Sequence, residues 1–180
     1  LKRCTTPVVA VWDAEMILPY KQIDESLDMI MNGKAAMVIP YDQTVLFLSE
    51  EPTVASLRAD SILEHLQLHS ASYRRWLGRP SCGGLFFVNR EVYLKCGGEN
   101  EHFYGWGPED AERVRRMEIL GYPVGVNTEG PLYHLWHPRG DNSRFFNRQL
   151  ASNSRLELIR ICNMDTKELT DDVASWRNRK

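Results

Sequence analysis

Three clusters in this chain carry residue types able to hold a metal or move a proton. The first is Asp13-Ala14-Glu15, two carboxylates one residue apart. It follows Pro7-Val8-Val9-Ala10-Val11-Trp12, a continuous apolar run that reads as a strand buried on both faces. Ligands collect beyond the carboxyl ends of strands in open α/β sheets, and two acids there can offer oxygens to a hard divalent cation that also holds phosphate. Alone, such a triplet is more often an ordinary strand exit with solvated acids.

The second cluster is His134-Leu135-Trp136-His137-Pro138-Arg139. On a strand from Leu132 to Trp136, His134 and Trp136 share one face and Leu135 takes the other. His137 then falls where Pro138 forces a turn. Imidazole ligates manganese, zinc or iron, and Arg139 can add charge toward a phosphate. Taken alone, the pair is a core histidine with a satisfied hydrogen bond beside a turn histidine. His65 and His69 are spaced i, i+4, but without the glutamate of a zinc-protease motif they read as a solvated helix edge.

The third cluster is Gly105-Trp106-Gly107-Pro108-Glu109-Asp110, an aromatic-glycine loop ending in adjacent carboxylates. A helix follows from Ala111 to Leu120, with Val114, Met117 and Leu120 on one stripe and Gly121 as a stop. Pro108 suits the first helical position, and the helix dipole favours negative charge at Glu109 and Asp110. A carboxylate held there can act as a general base when its surroundings raise its proton affinity toward the working pH. The flat face of Trp106 suits the C–H face of a sugar ring. The bland alternative is a packed tryptophan ahead of a capped helix.

The elements that must position these clusters alternate between strand and helix. A helix is expected from Tyr20 to Asn32, with Ile23, Leu27, Ile30 and Met31 inward and Gly33 as its stop. Ala36–Ile39 and Thr44–Leu48 read as strands around Pro40-Tyr41-Asp42, and Pro52 to Ser70 as one helix through Val54, Leu57, Ile62 and Leu66. Gly83-Gly84 opens a strand, Leu85–Val88, followed by a short helix ending at Gly97-Gly98. Val124–Val126 is a further strand, Phe145–Cys162 a long amphipathic helix, and Asp165-Thr166-Lys167-Glu168 has capping-box spacing before a last helix.

The 180 residues are enough for one domain with a substantial core. With 22 basic and 24 acidic residues the net charge is −2, which gives no sign of a nucleic-acid or anionic-membrane surface. No apolar run is long enough to span a membrane. Cys4, Cys82, Cys96 and Cys162 lack zinc spacing and read as free thiols of a reducing compartment.

Together, Gly83-Gly84-Leu85-Phe86-Phe87, Gly97-Gly98-Glu99-Asn100-Glu101 and Gly105-Trp106-Gly107-Pro108-Glu109-Asp110 resemble the C-terminal catalytic half of the β-1,4-galactosyltransferase family. Related bacterial capsule and polysaccharide glycosyltransferases are similar, and polypeptide N-acetylgalactosaminyltransferases more distantly so. The resemblance runs from about Val8 to Arg148. It implies a GT-A-like α/β fold, a mixed sheet flanked by helices. Only six residues precede Pro7, so the first βα units that hold the uridine are expected to be missing and the chain to be the C-terminal part of a single catalytic domain.

The resemblance also implies roles. Asp13-Ala14-Glu15 takes the place of an Asp-x-Asp motif, with Glu15 as metal ligand and Asp13 supporting the ribose or the metal. His137 falls on the family's metal histidine, and His134 stands where the galactosyltransferases carry a methionine ligand. Asp110 matches the catalytic base and Glu109 the neighbour that orients sugar hydroxyls. Trp106, Gly107, Gly83 and Gly84 line the sugar site. The implied activity is inverting, Mn²⁺-dependent transfer of a hexose or N-acetylhexosamine from a UDP-sugar donor to a carbohydrate acceptor, in glycan or polysaccharide synthesis. The expected setting is the bacterial cytoplasm, with a secretory lumen as the alternative. Pro108 replaces the family's second glycine and stiffens the loop; Glu15 replaces an aspartate and reaches about one methylene further. The competing class is a non-catalytic carbohydrate-binding or scaffolding module on the same fold.

Overall fold

A computed structural model describes residues 3–104, 107–140 and 147–177. Its strands form two mixed four-stranded sheets rather than one, each containing parallel and antiparallel pairs and flanked by helices. In the first sheet β1 (Val8–Trp12) pairs antiparallel with β6 (Leu85–Asn89), and β6 lies antiparallel to β3 (Met37–Ile39). The strand β7 (Val124–Val126) completes it, parallel to β3. The second sheet runs β2 (Met16–Ile17), β8 (Leu132–His134), β4 (Val45–Phe47) and β5 (Arg74–Arg75).

The central strands β3 and β6 hold the most apolar segments. Met37, Val38 and Ile39, and Leu85 through Val88, are all at most 4% exposed. By contrast β1 is not buried on both faces as its composition predicts. Among the described residues it is an edge strand paired only with β6, and Ala10, Val11 and Trp12 are exposed. A continuous apolar run specifies a strand; its place in the sheet depends on partners that the run itself does not encode.

Helix α1 (Tyr20–Met31) forms where periodicity places it and ends at Gly33, whose φ of +69° suits a residue without a Cβ. Ile30 is buried with Leu27 and Ile23 against it, but Met29 and not Met31 reaches the core; Met31 is exposed. The long helix expected from Pro52 to Ser70 is two: α2 (Glu50–Arg58) and α3 (Ile62–Leu68). The break lies at Ala59-Asp60-Ser61, where the Ser61 hydroxyl accepts from the Glu64 N–H and caps α3. Because the two segments turn independently, Val54 and Leu57 point outward while Thr53, Ser56 and Leu66 are buried.

Short α4 (Arg90–Lys95) is capped by Asn89 and leads into Gly97-Gly98. Helix α5 (Glu109–Ile119) starts one residue beyond Pro108, which serves as its N-cap and not its first helical residue. The stripe on α5 is less apolar than expected: Met117 is fully buried, but so are Glu112, Arg113 and Arg116. Helix α6 spans Arg148–Cys162, and Phe145 lies outside the described residues. Before α7 (Thr166–Arg177) the expected capping box is complete: Glu168 N–H donates to the Asp165 carboxylate, and Asp165 N–H donates to that of Glu168. Ile161, Leu169 and Val173 join α6 and α7 in a small core against the end of α5. Among the described residues the cysteines are free thiols, and no helix is long and apolar enough to cross a membrane.

Candidate active site

The acidic triplet sits on the tight turn that carries the chain from the first sheet into the second. Met16 N–H donates to the Asp13 carbonyl at 3.0 Å, closing a four-residue turn, and the Trp12 indole N–H donates to the Met16 carbonyl. Each sheet anchors one end of this turn. Asp13 N–H donates to the Gly84 carbonyl, and Leu135 N–H donates to the Glu15 carbonyl. Sequence neighbours on a turn of two residues' separation are thereby given different surroundings.

Glu15 meets both histidines. His134 Nε2 lies 3.8 Å and His137 Nε2 3.5 Å from Glu15 Oε1. Ligand atoms of all three residues fall within 4.8 Å of one another. Both rings are turned the same way by backbone: His134 Nδ1 contacts the Leu135 carbonyl at 2.8 Å and His137 Nδ1 the Pro138 carbonyl at 3.1 Å. A carbonyl only accepts, so each Nδ1 donates and Nε2 is the ring atom turned toward Glu15 as the available ligand atom. Burial holds His134 below its ordinary pKa, favouring the neutral form a metal requires. Two imidazoles and one carboxylate, oriented before any ion arrives, fit a divalent transition metal such as Mn²⁺. The His134 ring is further fixed by Trp76, stacked on it at 5.8 Å and 14°, with the Arg139 guanidinium 4.6 Å from the Trp76 ring centre.

Asp13 stands outside that triad and faces the third cluster. Its carboxyl is held above the usual range by desolvation and by the charges of Glu15 and Asp110. It shares a cavity of about 150 Å³ with Gly84, Glu109, Asp110 and Arg113. The acid pair and the Glu15–His134–His137 triad thus face one another across Asp13.

Asp110 lies directly over Gly83. A Cβ built at Gly83 would come 2.1 Å from Asp110 Oδ2, so only glycine admits the carboxylate there. The Gly83 carbonyl is itself held by the Tyr41 hydroxyl at 2.6 Å. Gly84 has φ +84°, and a Cβ there would meet the Met16 methyl at 2.7 Å. A Cβ is excluded at the two glycines for separate reasons, close packing at Gly83 and conformation as well at Gly84.

The adjacent acids differ in their partners. Asp110 Oδ1 accepts from Arg113 Nη1 at 2.7 Å. Arg113 also donates from Nη2 to Glu99 at 2.9 Å and lies with its Cζ 4.3 Å from the Phe86 ring centre. Glu99 in turn accepts the Tyr93 hydroxyl. Burial works against its charge, but Arg113 holds Glu99 below the ordinary carboxylate range. Glu109 Oε2 is buried with no hydrogen-bond partner among the described residues, and burial pushes the carboxyl up to about 7.

Of the residues singled out from the sequence, the fold brings together Asp13, Glu15, Gly83, Gly84, Glu109, Asp110, His134 and His137. Gly107 precedes the acid pair in the loop, and Trp106 lies outside the described residues. Arg113, Glu99 and Trp76 were not among them. Arg113 carried one signal, its i, i+3 spacing from Asp110, and Glu99 lay within the Gly97–Glu101 segment of the resemblance; Trp76 carried none before the fold placed it.

Residues 64–138 match a family described as the N-terminal domain of galactosyltransferase. The matched span holds both glycines, the acid pair and both histidines; Asp13 and Glu15 reach the site from outside it. The chain is also similar to β-1,4-galactosyltransferase 7 of Mus musculus and of Homo sapiens, 34% identical to each over 61 residues. That alignment covers 31% of this chain and 19% of each relative.

Proposed function

We propose that this galactosyltransferase-like chain forms the metal, sugar and acceptor side of an inverting glycosyltransferase site. It would move a hexose or N-acetylhexosamine from a UDP-sugar to a sugar hydroxyl in glycan or polysaccharide synthesis. One observation carries the reading: Asp13 feels the charges of Glu15 and His137 on one side and of Asp110 and Arg113 on the other. A metal-binding triad and a pair of acids therefore address one reaction centre, as transfer from a nucleotide diphosphate requires.

Glu15, His134 and His137 would hold the cation, which when bound supplies positive charge for the leaving diphosphate. Trp76 keeps the His134 plane fixed, and Arg139 adds a cation on the same side. The Glu109–Asp110 pair receives the acceptor: one carboxylate orients the hydroxyl and the other takes its proton as the oxygen attacks the anomeric carbon. Attack from the face opposite the leaving group inverts that carbon. Gly84 lines the cavity without a side chain, and Gly83 leaves room for the Asp110 carboxylate.

Thermal unfolding with Mn²⁺ and a panel of UDP-hexoses, each alone and combined, tests the reading. Any ligand bound to the native state raises the melting temperature, by an amount set by about 2.7 kcal/mol at a hundredfold excess over Kd. Mn²⁺ raises the midpoint of the wild type and fails to do so in His137→Ala, while the two proteins unfold alike without metal. An equal Mn²⁺ response in both refutes the triad.

A further inference from the structure

Arg113 lines the cavity that holds Asp13, Glu109 and Asp110. In a nucleotide-sugar transferase an arginine so placed is the natural ligand for a diphosphate. The geometry points instead to Arg113 as a positioning residue, which together with Glu99 holds the Asp110 carboxylate toward the acceptor hydroxyl. This rests on the transferase reading of the preceding section and deepens it by separating the residues that meet substrate from those that support them.

Every nitrogen of the Arg113 guanidinium already meets a carboxylate. Nη1 donates to Asp110 Oδ1 at 2.7 Å, Nη2 to Glu99 Oε2 at 2.9 Å, and Nε to Glu99 Oε1 at 3.2 Å. Its charge is thus shared between two anions before any substrate arrives. The side chain is only 5% exposed, and its Cζ lies 4.3 Å from the Phe86 ring centre. Phe86 meets the Tyr93 ring edge to face, and the Tyr93 hydroxyl donates to Glu99 Oε1. Both rings are buried in the core, so the guanidinium rests on a surface that does not yield.

Asp110 is the open end of this assembly. Its side chain is 33% exposed and lines the cavity, with Oδ1 held by Arg113 and Oδ2 close over Gly83. The i, i+3 spacing places Asp110 and Arg113 on one face of α5. Glu99 adds a second anchor from a different element, the loop that follows α4. That loop is tied back to α5, because Arg116 Nη2 donates to the Gly98 carbonyl at 2.8 Å. Two elements therefore fix one carboxylate, and the planar fork of an arginine spans them. A lysine ammonium carries the same charge but has no fork to hold two carboxylates in set directions.

Arg113→Lys, Arg113→Met and the double variant Arg113→Met with Glu99→Gln are compared with the wild type in thermal unfolding and transfer kinetics. Arg113→Met leaves Glu99 without its cation and lowers the melting temperature. The double variant removes both charges and recovers most of that loss, which keeps the test open should the single variant fail to fold. In all three kcat is expected to fall by roughly 10²-fold, as a displacement of about 1 Å in the Asp110 carboxylate brings. The KM for UDP-sugar is expected to stay within about twofold of the wild type. A merely structural role makes kcat return together with the melting temperature in the double variant, and that result overturns the inference. So does a UDP-sugar KM raised about tenfold with kcat unchanged, the mark of a lost diphosphate contact. Crystal structures of the wild type and the double variant supply a readout independent of turnover. A shift of Asp110 Oδ1 by about 1 Å in the variant supports the assignment, and an unmoved carboxylate overturns it. A wild type that neither binds nor transfers any UDP-sugar, while Asp110 shifts in this way, refutes the transferase reading instead.

Discussion

Gly83→Ala separates the geometry of the site from the stability of the fold. The backbone at Gly83 lies outside the left-handed region, so alanine is not barred by conformation. Its Cβ, however, would lie 2.1 Å from Asp110 Oδ2 and 2.9 Å from Cγ. The carboxylate must retreat by roughly 1 Å to reach ordinary contact. Because the clashing atom ends a side chain, the retreat disturbs little backbone. The bond at risk is Asp110–Arg113, whose side chains are 33% and 5% exposed, so its loss costs about 1–2 kcal/mol. For a chain of this size that is a fall in melting temperature of about 2–8 °C. A displacement of about 1 Å in a positioning group can cost on the order of 10²-fold in turnover efficiency. Transfer kinetics and a thermal scan on the same preparation decide the matter. The expected result is a hundredfold fall in kcat/KM with a folded, slightly less stable protein. Unchanged kcat/KM would refute the claim that Asp110 acts from the position it holds over Gly83. Gly84→Ala is the contrast, since it adds strain at φ +84° to a clash with Met16 and lowers stability directly.

Other parts of the structure give equally definite expectations. Arg116 and Glu112 are 0% and 1% exposed and bonded at 2.7 Å, so Arg116→Ala strands a buried carboxylate and costs about 3–5 kcal/mol, lowering the thermal midpoint by about 10 °C. Restoring most of that loss with Arg116→Met combined with Glu112→Gln would show that the stranded charge, not lost packing, was responsible. Asp165→Ala removes one arm of the capping box and costs about 1 kcal/mol in a urea titration. Glu109 has a folded pKa raised from 4.5 to about 7, so the folded state holds a proton that the unfolded chain gives up between those values. Relative to Glu109→Gln, wild-type stability is therefore undiminished below pH 4.5 and falls as pH rises through 7. Allowing for the partial exposure of the group, the fall is about 1–2 kcal/mol, measured by denaturant unfolding at pH 4.5 and 8.

What was legible in the sequence depended on whether the signal was local. Glycines at positive φ stop α1 and α5 where the periodicity ends, and the Asp165–Glu168 spacing specifies both capping bonds. The clusters of the candidate site were legible as types and order: acids at a strand end, an acid pair opening a helix, then two histidines. Their convergence around Asp13 follows from the two sheets meeting at the Asp13–Met16 turn, which no local pattern encodes. Ala59-Asp60-Ser61 looked like helix interior because three polar or small residues do not disturb a hydrophobic count. Arg113 and Arg116 could not be placed from the helix stripe, because their partners, Glu99, Glu112 and the carbonyls of Cys96 and Gly98, come together only in the fold. The edge position of β1 was invisible for a simpler reason: an exposed strand and a central one can share the same composition.

The packing of α7 reaches further than its distance from the acids implies. A Cβ at Gly97 would meet the Trp176 ring at 2.8 Å and Val173 at 3.0 Å, so this helix rests directly on the loop that presents Glu99. Trp176 also lies beside the Arg116 guanidinium, which grips the carbonyls of Cys96 and Gly98 in the same loop. The height and angle of Glu99, and through Arg113 those of Asp110, are thus referenced to a tryptophan on the last helix. Changes in the bulk of residue 176 would therefore move Glu99 and, through Arg113, the place that Asp110 holds over Gly83.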